Sequence, residues 1–224
     1  MIVGVETSFI NYEGTVSAVL FFSGCNLRCP YCHNIEVVLN KLPALDFQNV
    51  LQFLHKRKNV YEGVVLTGGE PTINSDLFDV IAEIKKLDYK IKLDTNGLQP
   101  EKIQQVLPFI DYLALDVKTS PKLYNELLLS PYHDNYERLQ KSIELSKQIA
   151  SEIRLTLIKG HVNESIVEEI GQMIKGCELV FLQLQNRFAT TLDPDYCGLE
   201  LVSDLEVVRY QTILQKYVKQ CRVR

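Results

Sequence analysis

With 224 residues, 46% of them hydrophobic and 23% charged, the chain has enough apolar side chains for one sizeable buried core, and a single α/β domain of that length is ordinary. A formal net charge of −4 with no basic block argues against a nucleic-acid surface. No apolar run approaches the ~20 residues that cross a bilayer, and residues 1–8 lack the basic-then-apolar layout of a secretory signal, so a cytoplasmic protein without membrane or nucleic-acid partners is expected.

Short β-rich runs alternate with helical patterns along the whole chain. Residues 15–22 predict a first strand. Residues 47–58 have helical spacing, with Val50, Leu51 and Leu54 on one face and Asp46 as N-cap. A second strand is expected over 63–66, then a helix over 74–87 whose Leu77, Ile81 and Ile84 form a buried stripe. Strand 90–93, helix 100–107, strand 112–117, helix 133–149 and strand 153–158 follow. The chain ends with helix 164–174, closed by Gly176, then strand 179–184 and helix 204–218. Strand then helix, six times over, argues for parallel strands joined by right-handed crossovers. Six units are too few for an eight-stranded barrel, and periodicity alone allows either an open partial barrel or a doubly wound sheet. No repeat or linker marks a boundary, so one domain over 1–224 is expected, with about 195–224 as a C-terminal helical extension.

Polar residues follow the strands in phase. Cys25 follows the first, Gly68-Gly69-Glu70-Pro71 the second and Asp94-Thr95-Asn96-Gly97 the third, while Asp116 and Lys118 end the fourth. Parallel α/β folds bind ligands where the carboxyl ends of their strands gather, so one rim should carry the chemistry.

Cys25, Cys29 and Cys32 crowd into eight residues, in the run Gly24-Cys25-Asn26-Leu27-Arg28-Cys29-Pro30-Tyr31-Cys32-His33-Asn34. A 4Fe–4S cubane normally takes four cysteines; three leave one iron open to a small molecule. A disulfide framework belongs to small secreted domains rather than to one short loop of a long chain. A structural zinc site needs a fourth ligand, and His33 is too near Cys32 for the usual spacing. Cys177 reads as core, and Cys197 and Cys221 as incidental.

The Cys-x3-Cys-x2-Cys loop, with Tyr31 before its last cysteine, resembles the cluster loop of radical S-adenosylmethionine (radical SAM) enzymes. Gly68-Gly69-Glu70-Pro71 resembles their motif for the methionine amino group. The cluster loop, then Leu93-Asp94-Thr95-Asn96-Gly97, Leu115-Asp116-Val117-Lys118 and Ile153-Arg154, resemble the glycyl-radical-enzyme activating proteins. The short chain is most like the anaerobic ribonucleoside-triphosphate reductase activating group.

The resemblance implies a partial (β/α)6 TIM-type barrel with the radical SAM core. It implies a 4Fe–4S cluster on Cys25, Cys29 and Cys32, with S-adenosylmethionine on the open iron. Reductive cleavage would give a 5′-deoxyadenosyl radical, which takes hydrogen from a backbone glycine of a partner such as anaerobic ribonucleotide reductase. A flavodoxin or ferredoxin-type protein would donate the electron. Gly68 and Gly69 would admit the ligand to the backbone, and Glu70 would accept from its ammonium. Asp94 and Asp116 would flank a monovalent cation. Lys118 and Arg154 would meet carboxylate or ribose oxygens. Tyr31, His33 and Asn34 would border adenine, and Thr95 and Asn96 would also bind the cofactor. After the sixth strand, where some relatives use histidine, residues 183–187 offer Gln185 and Asn186, and no adenine contact is assigned there.

Each residue also has a plainer reading. Gly-Gly-Glu-Pro and Asn96-Gly97 serve as turns, Asp94 or Asp116 as caps, Lys118 as a solvated charge and Arg154 as packing. Competing functions are a radical enzyme acting on a small molecule or peptide, such as a deazapurine synthase, and a non-catalytic metal-binding scaffold. Deazapurine synthases often stretch the first cysteine gap, which is three residues here.

Overall fold

A computed structural model describes every residue except position 187, which closes the 183–187 stretch noted above and lies outside the described residues. The chain divides into two compact units. The first comprises Met1–Asn26, Asn34–Thr95 and Glu101–Leu113; the second comprises Leu27–His33, Asn96–Pro100 and Ala114–Arg224.

In the first unit, β1 (Ile2–Ser8) pairs antiparallel with β2 (Ser17–Phe22), and β2, β3 (Gly63–Gly68) and β4 (Lys90–Thr95) run parallel in that order. The short helix α1 (Ile35–Val38) and α2 (Phe47–Lys56) lie between β2 and β3, α3 (Leu77–Lys86) between β3 and β4, and α4 (Pro100–Val106) after β4. Ala18, Leu20, Val64, Leu66, Ile91 and Leu93 have no exposed surface. Such unbroken burial is what parallel strands covered on both faces require. Asp46 caps α2 as expected, accepting from the Gln48 and Asn49 amides at 2.8 and 3.2 Å. The Leu77, Ile81 and Ile84 stripe of α3 is buried, joined by Val80. β1 has no counterpart in the periodicity, because Gly4, Glu6 and Thr7 interrupt its apolar pattern.

β5 (Tyr112–Asp116) leads into the second unit. There α5 (Tyr124–Leu128), α6 (Asn135–Ser146), β6 (Ser151–Leu157), α7 (Glu164–Met173), β7 (Leu179–Leu184), α8 (Asp204–Leu214) and β8 (Gln220–Val223) follow. β6, β7 and β8 are parallel neighbours. The terminal segment is thus not helical throughout. α8 stops at Leu214, and the chain returns as β8 on the edge of β7. Ser203 starts α8 with a full capping box, its hydroxyl and Glu206 each bonding the other's amide. Cys177 is buried, as its reading as core requires, and so is Cys221. No described helix is long and apolar enough to cross a membrane.

Candidate active site

In the first unit, Cys25 follows β2 and is partly exposed; its thiol lies 3.8 Å from Asn26 Oδ1. The backbone ahead of it is held by the Gly68-Gly69-Glu70 turn. The Gly69 amide donates to the Phe22 carbonyl, and the Glu70 amide to the Gly24 carbonyl, each at 2.8 Å. A Cβ on Gly69 would sit 1.9 Å from the Gly24 carbonyl oxygen. One on Gly68, whose φ is +117°, would sit 2.5 Å from the Phe22 nitrogen. The two glycines therefore admit the backbone leading to Cys25.

Glu70 is buried, and its Oε1 accepts from the Thr72 amide (3.1 Å), the Thr72 hydroxyl (2.5 Å) and the Thr95 hydroxyl (2.7 Å). The carboxylate thus ties the turn after β3 to the end of β4. This is a rigidifying role in addition to any ligand contact. Asp94 is buried on β4, with the buried Lys92 ammonium 3.9 Å from its Oδ1; Lys92 also donates to the Asn11 carbonyl at 2.6 Å. Asn34 opens α1 through its carbonyl without a side-chain cap.

In the second unit, Cys29-Pro30-Tyr31-Cys32 closes a tight turn, with the Cys32 amide 3.0 Å from the Cys29 carbonyl. Pro30 at its second position has the φ that such turns need. Cys29 is buried. Desolvation pushes its thiol up to about 11, against the opposing Lys118 charge. Binding metal there has to displace a proton. The Tyr31 hydroxyl is buried, and its ring meets His161 edge-on at 6.5 Å. Desolvation and then the Lys118 charge hold the His33 pKa below its ordinary value.

Asp116, at the end of β5, accepts from Arg154 Nε at 2.5 Å and from Lys118 Nζ at 3.2 Å. Burial raises its pKa, but the two cations outweigh that and hold the carboxyl at about 2. Lys118 and Arg154 both pair with Asp116, so Lys118 is more than a solvated charge. Arg154 and Lys118 thus already compensate the Asp116 charge. Asn96 keeps its turn role: its Oδ1 accepts from the Leu98 amide at 3.1 Å. Gly97, with φ +77°, leaves no room for a Cβ against Leu115.

Replacing Asp116 by asparagine should cost about 2 kcal/mol, because it strands two partly buried cations. The melting temperature should fall by about 4–8 °C in calorimetry. The carboxyl pKa is lowered on folding, so its contribution is complete above about pH 4 and disappears as pH falls towards about 2. Wild-type stability should therefore drop across that window more steeply than that of Asp116→Asn.

Sequence reasoning missed Tyr124, His161, Thr191 and Tyr196. The buried Tyr124 hydroxyl accepts from the Lys118 amide at 2.9 Å. His161 Nε2 lies 2.6 Å from the Tyr196 hydroxyl. Neither position sits in a motif, and only the fold brings these pairs together.

The three loop cysteines are free thiols, and Cys29 lies beside a lysine, as suits an anionic group built on thiolates. The sequence profile of the Radical SAM superfamily matches residues 19–173. The chain belongs to the radical SAM superfamily. Membership implies a 4Fe–4S cluster and S-adenosylmethionine, and free thiols are the ligand type that such a cluster takes. The chain is 30% identical to the Methanocaldococcus jannaschii protein named "Putative glycyl-radical enzyme activating enzyme MJ1227", over 98% of this chain and 93% of that one. It is 29% identical to a Clostridium pasteurianum pyruvate formate-lyase-activating enzyme over 46% of each chain. It is 33% identical to a Haemophilus influenzae 7-carboxy-7-deazaguanine synthase over 56% of this chain and 49% of that one. In fold it is similar to Streptococcus suis SuiB, solved bound to precursor peptide SuiA. The TM-score is 0.66 at 17% identity, covering 92% of this chain and 48% of SuiB. The radical SAM core expected from the sequence is therefore the fold of this chain.

Proposed function

We propose that this radical SAM enzyme activates a glycyl radical enzyme, removing a hydrogen atom from a backbone glycine of that partner. The observation that carries the reading is the similarity to the Methanocaldococcus jannaschii protein along almost the full length of both chains. The ordered pieces Asp94-Thr95-Asn96-Gly97 and Leu115-Asp116-Val117-Lys118 support it.

Cys25, Cys29 and Cys32 would hold the cluster, which when bound supplies the electron that cleaves S-adenosylmethionine. Glu70 and Thr95 would stiffen the rim beside it. Lys118 and Arg154, oriented by Asp116, would present positive charge to the ligand's carboxylate. Tyr31, His33 and Asn34 would border the adenine. Anaerobic ribonucleotide reductase is the proposed partner, and a flavodoxin or ferredoxin the proposed donor.

The similarity to 7-carboxy-7-deazaguanine synthase favours a second reading, a small-molecule substrate, although it spans only about half of each chain. The two separate in one experiment. Protein reconstituted anaerobically and reduced with dithionite is mixed with S-adenosylmethionine and purified anaerobic ribonucleotide reductase. A glycyl radical doublet in the partner's electron paramagnetic resonance spectrum is the expected result. Deoxyadenosine formation without that doublet would remove ribonucleotide reductase as partner. Consumption of a deazapurine precursor would establish the second reading.

A further inference from the structure

The turn that carries Cys29 and Cys32 is held from outside by a segment no motif identifies. The Leu192 amide donates to the Cys32 carbonyl at 2.8 Å, and the Asp193 amide to the Pro30 carbonyl at 2.9 Å. Two successive amides thus take two carbonyls of the four-residue turn, whose other internal bond is Cys32 N to Cys29 O.

This segment has its own closure. Thr191 is buried, with 3% of its surface exposed. Its hydroxyl lies 2.7 Å from the Asp193 carbonyl and 3.1 Å from Cys197 Sγ, and its amide donates to the same sulfur at 3.4 Å. A hydroxyl has one proton. With that proton on the Asp193 carbonyl, the Cys197 thiol donates to Thr191 and its sulfur accepts from the Thr191 amide. The far end is fixed as well. Gln185 Nε2 donates to the Tyr196 carbonyl at 3.1 Å, and the Tyr196 hydroxyl pairs with His161. Cys197 is therefore not incidental, as its isolated place in the sequence suggested. It closes a loop whose Leu192 and Asp193 amides bond the cysteine turn.

We propose that residues 191–197 form a strap that locks the conformation of the Cys29–Cys32 turn, with Thr191 as the positioning residue. The proposal rests on the radical SAM reading of that turn. Thr191 touches neither cluster nor substrate; it sets the direction of the Leu192 and Asp193 amides. A turn with both carbonyls taken holds its two thiolates in place and sheds less of its backbone to water. Water and dioxygen would then have less access to a cluster held by this turn.

The test compares Thr191→Val, which keeps the shape and removes the hydroxyl, with Thr191→Ser, which keeps the hydroxyl. Cys197→Ala removes the other half of the closure and serves as the second variant should the valine protein fold poorly. Hydrogen exchange of the peptide covering residues 28–33 is expected to be about tenfold faster in Thr191→Val and Cys197→Ala, and within about twofold of wild type in Thr191→Ser. In protein loaded with iron and sulfide, loss of the cluster absorbance in air should be at least about threefold faster in the first two variants. Unchanged exchange at 28–33 in both Thr191→Val and Cys197→Ala overturns the strap, whatever the iron content. Faster exchange with unchanged cluster loss also overturns it as a cluster support. Wild-type protein that takes up no iron and sulfide overturns the radical SAM reading of the turn, and the strap's role falls with it.

Discussion

Cys29→Ala should lose the cluster and with it the cleavage of S-adenosylmethionine, by roughly a thousandfold or more, beyond the 10–100-fold typical of changes to groups behind a metal ligand. Cys29 is the buried member of the trio, set in a turn stiffened by Pro30 and faced by Lys118. On the proposed ligand set, removing its thiolate would leave an iron without a ligand, and Lys118 would keep its ion pair with Asp116. The fold should survive, because strands and helices far from the turn supply the core. Cys177→Ala is the matched control. That cysteine is also buried but packs as a small hydrophobe, so its loss should cost about 1–2 kcal/mol and leave iron content untouched. Iron and sulfide analysis with a deoxyadenosine assay reads both. A Cys29→Ala protein with full iron and wild-type turnover would remove Cys29 from the ligand set.

Gly69→Ala should be the most damaging single methyl in the first unit. Its Cβ would stand 1.9 Å from the Gly24 carbonyl oxygen, and both atoms belong to backbone held by hydrogen bonds. No rotamer relieves such a clash, so the turn after β3 or the chain before Cys25 has to move. A cost of about 3 kcal/mol is expected, or about 6–12 °C in melting temperature. Iron loading should fall too, because Cys25 is the next residue along the displaced chain. Gly14→Ala is a suitable comparison: no atom lies within 4 Å of a Cβ there, and the positive φ alone would cost less. Equal melting of Gly69→Ala and wild type would show that the two turns are not braced against each other.

The two glycines illustrate how far local signals reach. Gly68-Gly69 was legible as a place where backbone approaches a ligand closely, whereas the close neighbours in the structure are backbone atoms. The partner was not legible, because Phe22 and Gly24 lie on another strand-to-loop transition. Helices α2 and α3 were legible through Asp46 and the Leu77, Ile81, Ile84 stripe, which depend on residues three or four apart. β8 was not. Gln220-Cys221-Arg222-Val223 has no strong strand pattern, and it forms because β7 offers an open edge. The strap was invisible for a related reason, since its two bonds to the cysteine turn run from backbone to backbone and carry no residue signature.

Glu70 and Asp116 mark the same boundary. Each was identified as a charged group at the rim, and in each case the partners changed its meaning. Thr95, 25 residues on, turns Glu70 into a brace, and Arg154, 38 residues on, turns Asp116 into the centre of a compensated triad. By itself the sequence determined the superfamily and the alternation of strands with helices, because covalent spacing and short-range periodicity are properties of a chain before it folds. Tertiary structure alone decided which carboxylates are already neutralised, what the glycines make room for and what holds the Cys29–Cys32 turn. Burial and hydrogen-bond pairing depend on segments that meet only after folding.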